Sequence, residues 1–243
     1  MSNVTPELRP VLAPTGRLRA AINLGNPVLA QRAADGALGG VSVELARALA
    51  AGLGVEAALE PFDTAGAAFA ALRDGACDVG FLAIDPARAA ELDFTAPYVV
   101  IEGTYLVPAS SDFRAAAEVD REGVRIAAGK NSAYDLHLGR SLRAARLVHA
   151  PSSAEAIALF LAGGAEVAAG IRQPLAAAAA GRDDLRVLPD RFLEIRQAMA
   201  LRRGNPAGAA ALHGFVEAMK ADGFVAAALA RSGQGEATVA PAA

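Results

Sequence analysis

Two short stretches carry residue types suited to holding a small anion. The first is Ala83-Ile-Asp-Pro-Ala-Arg88. A guanidinium presents a planar fork of donors that meets a carboxylate with two charge-assisted hydrogen bonds. Read by itself, Arg88 is as well explained by a surface ion pair with Asp85 or Glu91. The second is Asn131-Ser132-Ala133-Tyr134-Asp135. A helix starting at Ser132 exposes unpaired backbone N–H groups, which attract an anion. Its Ser-x-x-Asp spacing also suits an ordinary capping box, and the two readings are compatible. Asn131 is a residue that tolerates the left-handed conformation.

Other chemistries are disfavoured by type or spacing. His137, His149 and His213 are too scattered for a metal motif. A single cysteine, Cys77, excludes an intrachain disulfide framework and a cysteine-cluster zinc site, and is expected to be a small buried residue. Gly129-Lys130 lacks the glycine spacing and the following Ser/Thr of a phosphate loop. No Gly-x-Ser-x-Gly elbow occurs. No cofactor or metal is expected.

The elements that must position these residues alternate. Leu18–Ile22 reads as a strand, and Val41, Leu45 and Leu49 mark a helix closed by Gly54. Val55–Leu59 is a strand, Asp63 or Thr64 caps a helix carrying Phe69 and Leu72, and Asp78–Ala83 is a third strand. The alternation then restarts: strand Val124–Ala128, helix from Ser132 to about Arg143, strand Leu147–His149. A helix capped by Ser152 and Glu155 follows, then strand Glu166–Gly170, an alanine helix from Pro174 to Gly181, and strand Leu185–Leu188. Strand-like crossings fall near Tyr98–Val107 and Phe192–Leu201. Two helices close the chain, one from Asn205-Pro206 with a Leu212, Phe215, Val216, Met219 stripe, one from Asp222. This pattern predicts an α/β fold with mixed sheets flanked by helices.

Composition sets bounds on the rest. Of 243 residues, 62 are alanine, so the 53% hydrophobic content overstates the material for large-side-chain cores. The remainder still suffices for one large or two modest cores. A net charge of −3, with no basic face standing out, disfavours nucleic acid as a partner. No apolar run is long enough to insert in a membrane. Met1–Pro6 lacks a basic stretch followed by an apolar run, so no signal peptide is expected in the chain as given.

Several motifs resemble one family. Gly40-Val-Ser-Val-Glu-Leu45, the run 83–88 followed by Asp93-Phe-Thr-Ala-Pro-Tyr98, the turn in 124–135, and Met199-Ala-Leu-Arg-Arg203 are similar to stretches of bacterial family 3 solute-binding proteins. The resemblance spans about Leu18–Ser232. It implies the type II periplasmic-binding-protein fold: lobe 1 from 17–100 and 196–232, lobe 2 from 101–195, and two hinge crossings. Residues 1–16 would be an N-terminal extension and 233–243 a flexible tail.

The resemblance also implies the site, an interlobe cleft. Arg88 falls where the family binds a ligand carboxylate, and Ser132 and Ala133 where hydroxyl residues bind from lobe 2. Asn131 takes the family's glycine position. Asn23, Asn26, Phe81 and Ala83 line lobe 1, Arg172 and Gln173 follow the strand of lobe 2, and Gln197 reaches in from the return crossing. There are departures. Ile171 falls at or beside the aspartate that pairs with an α-ammonium in amino-acid binders, so Glu166 or Glu194 substitutes, or the ligand has no α-ammonium. Arg172 suggests a second anionic group, and is as readily a solvated loop arginine. Phe81 is as readily core.

The implied function is binding of a small carboxylate-bearing solute, amino-acid-like or an organic acid, as the substrate-binding component of an ABC transporter. The protein would be a monomer with a permease partner. Two alternatives stay open: a cyclohexadienyl dehydratase-like enzyme recruiting Glu194 or Glu166 as general acid, and a soluble sensory domain. The resemblance implies a periplasmic location, whereas Met1 as the natural start implies a cytoplasmic one.

Overall fold

Five helix starts among the described residues are made by side chains that accept an otherwise unpaired backbone N–H. Thr64 Oγ1 accepts from Ala67 N at 3.2 Å, Asp85 Oδ1 from Ala87 N at 2.9 Å, Ser132 Oγ from Asp135 N at 3.1 Å, Ser152 Oγ from Glu155 N at 3.2 Å and Asn205 Oδ1 from Gly208 N at 2.9 Å. Each removes one of the orphan donors of a first turn, a contribution of about 1 kcal/mol apiece. The Ser152 cap is reinforced by its hydroxyl donating to Glu155 Oε2 at 2.8 Å. Gly54 ends the helix begun at Val41, with φ of 65°, a left-handed cap that glycine adopts without strain.

The computed structural model describes residues 4–243; Met1, Ser2 and Asn3 of the expected N-terminal extension lie outside it. In chain order the elements are α1 (Arg9–Leu12), β1 (Arg17–Asn23), β2 (Gln31–Arg32), β3 (Leu38–Gly39), α2 (Val41–Leu53), β4 (Glu56–Phe62), α3 (Ala65–Arg73), β5 (Val79–Ala83), α4 (Pro86–Ala89) and the long β6 (Leu92–Pro108). Then come β7 (Arg125–Gly129), α5 (Ala133–Ser141), β8 (Arg146–Ala150), α6 (Ser153–Leu161), β9 (Val167–Ile171), α7 (Arg172–Ala179) and β10 (Leu185–Val187). The chain closes with β11 (Leu193–Arg202), α8 (Pro206–Ala221), α9 (Phe224–Arg231) and β12 (Thr238–Val239). The described residues fall into two compact units: unit 1 is Met1–Val100 with Arg196–Ala243, and unit 2 is Ile101–Ile195.

In unit 1, β4, β1 and β5 run parallel, with Asn23 opposite Phe62 and Ala21 opposite Gly80. β11 joins β5 antiparallel, so that Gln197 lies opposite Ala83. Beneath α3, Ala21, Leu72, Cys77, Leu82, Leu92 and Ala200 form a buried cluster. Cys77 is a small core residue as its type suggested, and burial pushes its thiol up to about 11. Residues 233–243, expected as a flexible tail, instead carry β12. It pairs antiparallel with β6 at Val99 and Val100, and Ala240 N donates to Tyr98 O at 3.1 Å. Two residues of strand give too short a pattern to read by periodicity.

In unit 2, β8, β7 and β9 run parallel, with Gly129 opposite Ala150 and Ala127 opposite Ala168. β6 pairs antiparallel with β9 on one side and β10 on the other. The core under α6 and α7 holds Leu106, Ala127, Ala150, Ala156, Phe160, Ala165, Ala168 and Leu175. Five of these eight are alanine, which lets helices approach the sheet closely and leaves the apolar burial to a few large side chains. Phe160 alone contributes about 2 kcal/mol. Gly129 marks the closest approach: a Cβ there would stand 2.7 Å from Ser153 N, inside any normal contact.

Candidate ligand-binding site

Parallel strands deliver their following loops to one edge of a sheet, the carboxyl edge, where α/β folds bind ligands. The sequence-predicted residues gather at that edge in each unit.

In unit 1, Asn23 ends β1, Phe81 and Ala83 end β5, and Gln197 stands across from Ala83 on β11. Asn23 and Asn26 shape the loop after β1: Asn23 Oδ1 accepts from Gly25 N at 3.0 Å and Asn26 Oδ1 from Val28 N at 3.3 Å. Gln197 is buried. Arg88, on the one-turn helix α4, is only 3% exposed, and its Nη1 donates to the Ala83 carbonyl at 3.2 Å. Burial pulls the guanidinium down to about 10, with Asp85 pushing in the opposite direction. The group is therefore charged at neutral pH in surroundings that disfavour its charge, and an added anion would relieve that. Phe81 is a core residue, 1% exposed and edge-on to Tyr98 at a centroid separation of 6.2 Å. Tyr98 in turn meets Ser42 Oγ at 3.1 Å.

In unit 2 the turn after β7 is fixed from several sides. Asn131 sits at φ 60°, among the described residues the one non-glycine with positive φ. Its N–H donates to Asp135 Oδ2 at 2.8 Å, while Ser132 Oγ caps Asp135 N. Ala133 opens α5 half-buried, and Tyr134 donates its hydroxyl to Ser153 Oγ at 2.6 Å, tying α5 to the start of α6. The parallel register places the turns after β7 and β9 side by side, so Gln173 in the first turn of α7 shares this edge.

Among the described residues, the buried oxygen Gln173 Oε1 has no hydrogen-bond partner. Two other buried side-chain oxygens also lack well-directed bonds. Each of those, however, has a cation-forming nitrogen at ion-pair distance: Asp135 Oδ1 with His149 Nε2 at 2.8 Å, and Glu217 Oε1 with Lys220 Nζ at 2.6 Å. An orphaned buried acceptor is rare and costs about 1–3 kcal/mol unless water or a ligand satisfies it.

Arg172 is differently engaged. Nε donates to Glu102 Oε2 at 2.6 Å, Nη1 to Leu188 O at 3.0 Å, and Nη2 to Pro189 O at 3.0 Å and Asp190 O at 3.2 Å. It clamps the loop after β10 to the start of α7. Glu166, considered as a substitute acid, lies before β9, at the opposite end of that strand from the predicted site. There Arg125 holds it through Nη2 at 2.7 Å and backbone N at 2.7 Å. Ile171 ends β9 as a buried apolar residue. Sequence reasoning missed the pairing of His149 with Asp135; its signal was an alternation in β8 that puts Ala150 in the core and His149 on the opposite face.

The sequence profile of bacterial extracellular solute-binding proteins, family 3, matches residues 18–233. The chain belongs to that family. Solved structures agree on the fold. An amino acid ABC transporter substrate-binding protein from Streptococcus pneumoniae, bound to L-arginine, superposes with a TM-score of 0.78 at 20% identity, over 91% of this chain and 96% of that one. An ancestral amino acid-binding protein, a precursor of cyclohexadienyl dehydratase, gives 0.75 at 23%, over 90% and 96%. A histidine kinase sensor domain with similarity to periplasmic binding proteins gives 0.73 at 23%, over 88% and 95%. Among curated proteins none matches in sequence. This family member thus has the mixed α/β fold of periplasmic binding proteins. Among the described residues, no helix is long and apolar enough to cross a membrane, and no group of three or more His, Cys, Asp or Glu is placed to hold a metal ion.

Proposed function

We propose that this family member captures a small carboxylate-bearing solute and delivers it to an ABC-type permease. In unit 1 the carboxylate-binding group is Arg88; in unit 2 the anion-binding groups are the backbone N–H groups that open α5. The observation that carries the reading is the state of Arg88: a guanidinium 3% exposed, bonded through Nη1 to Ala83 O and pulled down by burial, at the carboxyl edge of a parallel sheet. A buried arginine fork at such an edge is matched chemically by a carboxylate.

In unit 2 the turn after β9 carries no acidic residue, which narrows the ligand. Ile171 offers no counter-charge, and Asp135 is already engaged by Asn131 N and His149. Gln173 Oε1 is suited to accept an N–H or O–H from the solute. The chain reads as a binder and not a catalyst, because Glu166 is committed to Arg125 and Glu194 lies exposed, 3.5 Å from Arg191.

Titration calorimetry with L-arginine, L-glutamine, L-glutamate and glutarate, each beside its methyl ester, tests this. At least one free carboxylate should bind with one site per chain, and its ester should bind about 100-fold more weakly. Equal binding of acid and ester, or no carboxylate binding at all, would overturn it.

A further inference from the structure

Backbone that adopts the left-handed conformation at a non-glycine residue lies roughly 1 kcal/mol or more above its alternatives, and persists only where its surroundings hold it. Asn131 is such a residue, and the Asp135 carboxylate takes part in the holding. Asp135 Oδ2 accepts the Asn131 N–H at 2.8 Å, and the Asp135 N–H is bound to Ser132 Oγ at 3.1 Å. The direction of that carboxylate therefore sets the turn. Its second oxygen, Oδ1, is buried and takes no well-directed hydrogen bond from any described residue; the group at ion-pair distance is His149 Nε2, at 2.8 Å.

The topology explains why a histidine reaches there. β8 runs parallel to β7 with His149 opposite Ala128 and Ala150 opposite Gly129, the last residue before the turn. Side chains alternate along a strand, so Ala150 enters the core beneath α6 and His149 emerges on the other face, beside Asp135 of α5. Asp135 is 6% exposed, whereas the His149 side chain is 49% exposed. The histidine is thus a removable prop on a buried carboxylate, and a substitution there leaves the unit 2 core untouched.

We propose that His149 is a positioning residue: by holding Asp135 Oδ1 it fixes the carboxylate that keeps Asn131 and Ser132 in the conformation presenting the first N–H groups of α5. The second readout below rests on the proposed carboxylate site; the first does not.

The test uses the full chain with His149→Leu, which removes the donor at similar bulk, and His149→Gln, whose amide nitrogen reaches nearly as far as the imidazole Nε2. Backbone amide exchange by NMR is the first readout. The Asn131 amide should exchange about tenfold faster in H149L and within about twofold of wild type in H149Q. Unchanged exchange in H149L, or equal acceleration in both variants, would overturn the proposal, the latter because packing and not the donor would then matter. The second readout follows the Ala133 and Tyr134 amides, the first two of α5, during titration with sodium acetate. Their response should weaken about fivefold in H149L and recover in H149Q. If acetate leaves these amides unmoved in wild type, the carboxylate site itself is wrong, and the exchange data still decide the role of His149.

Discussion

Replacing Arg88 by alanine removes the one fully sunk guanidinium of the unit 1 edge, and the consequences separate cleanly into stability and affinity. On the stability side the variant loses the Nη1 bond to Ala83 O, about 1 kcal/mol, and it also loses a charge that burial disfavours. The two changes oppose each other, so the net effect stays within about 1–2 kcal/mol, or a shift of roughly 2–8 °C in Tm for a chain of this size. Affinity behaves differently. Taking one partner from a buried, hydrogen-bonded charge pair leaves the solute carboxylate desolvated and unpaired, at a cost of about 3–5 kcal/mol. At about 1.4 kcal/mol per factor of ten, that is roughly a 100- to 4,000-fold loss. Arg88→Lys keeps the charge and loses the planar fork, and should fall between, about tenfold weaker than wild type. Calorimetry with the tightest carboxylate of the panel reads both affinities, and scanning fluorimetry without ligand reads the stability. Affinity in R88A within about threefold of wild type would refute the assignment of the anchor.

Other outcomes follow from the same geometry. Asn131→Val forces a β-branched residue to φ 60° and should cost about 1–2 kcal/mol in urea unfolding, whereas Asn131→Gly should be close to neutral. Gln173→Leu removes an unpaired buried acceptor, so the ligand-free protein should be no less stable than wild type while affinity for a solute with an N–H or O–H donor drops about tenfold; equal affinity would show that this oxygen faces no ligand. Asp120 accepts N–H groups from Arg143, Ala144 and Ala145, each at 2.8 Å. Burial alone would raise its pKa, but these bonds bring it below the ordinary 3.8. Because the folded value is the lower one, its contribution is present above that ordinary value and is lost as pH falls below it. Acid unfolding of Asp120→Asn should accordingly show a shallower dependence in that range.

Much of the fold was legible because several helix starts carry their own acceptor and most strands a short apolar run. Thr64, Ser132, Ser152 and Asn205 cap where their types suggested. The elements that escaped are those without internal periodicity: α1, the strands β2 and β3, the single turn of α4 and the terminal β12, each of four residues or fewer. The candidate site divides along a similar line. A motif sets the distance of Arg88 and of the Ser132 turn from a strand end, and they follow the ends of β5 and β7. Arg172 and Glu166 misled because their partners, Glu102 with the 188–190 carbonyls and Arg125, are distant in sequence and are brought in only by sheet pairing. The partner of a charged side chain is a tertiary fact, and spacing along the chain does not encode it.

The most direct test of the account is a crystal structure of the protein grown with the tightest-binding carboxylate of the panel. The carboxylate oxygens should lie within hydrogen-bond distance of the Arg88 guanidinium. A carboxylate bound elsewhere, with Arg88 bonded to protein groups alone, would contradict it.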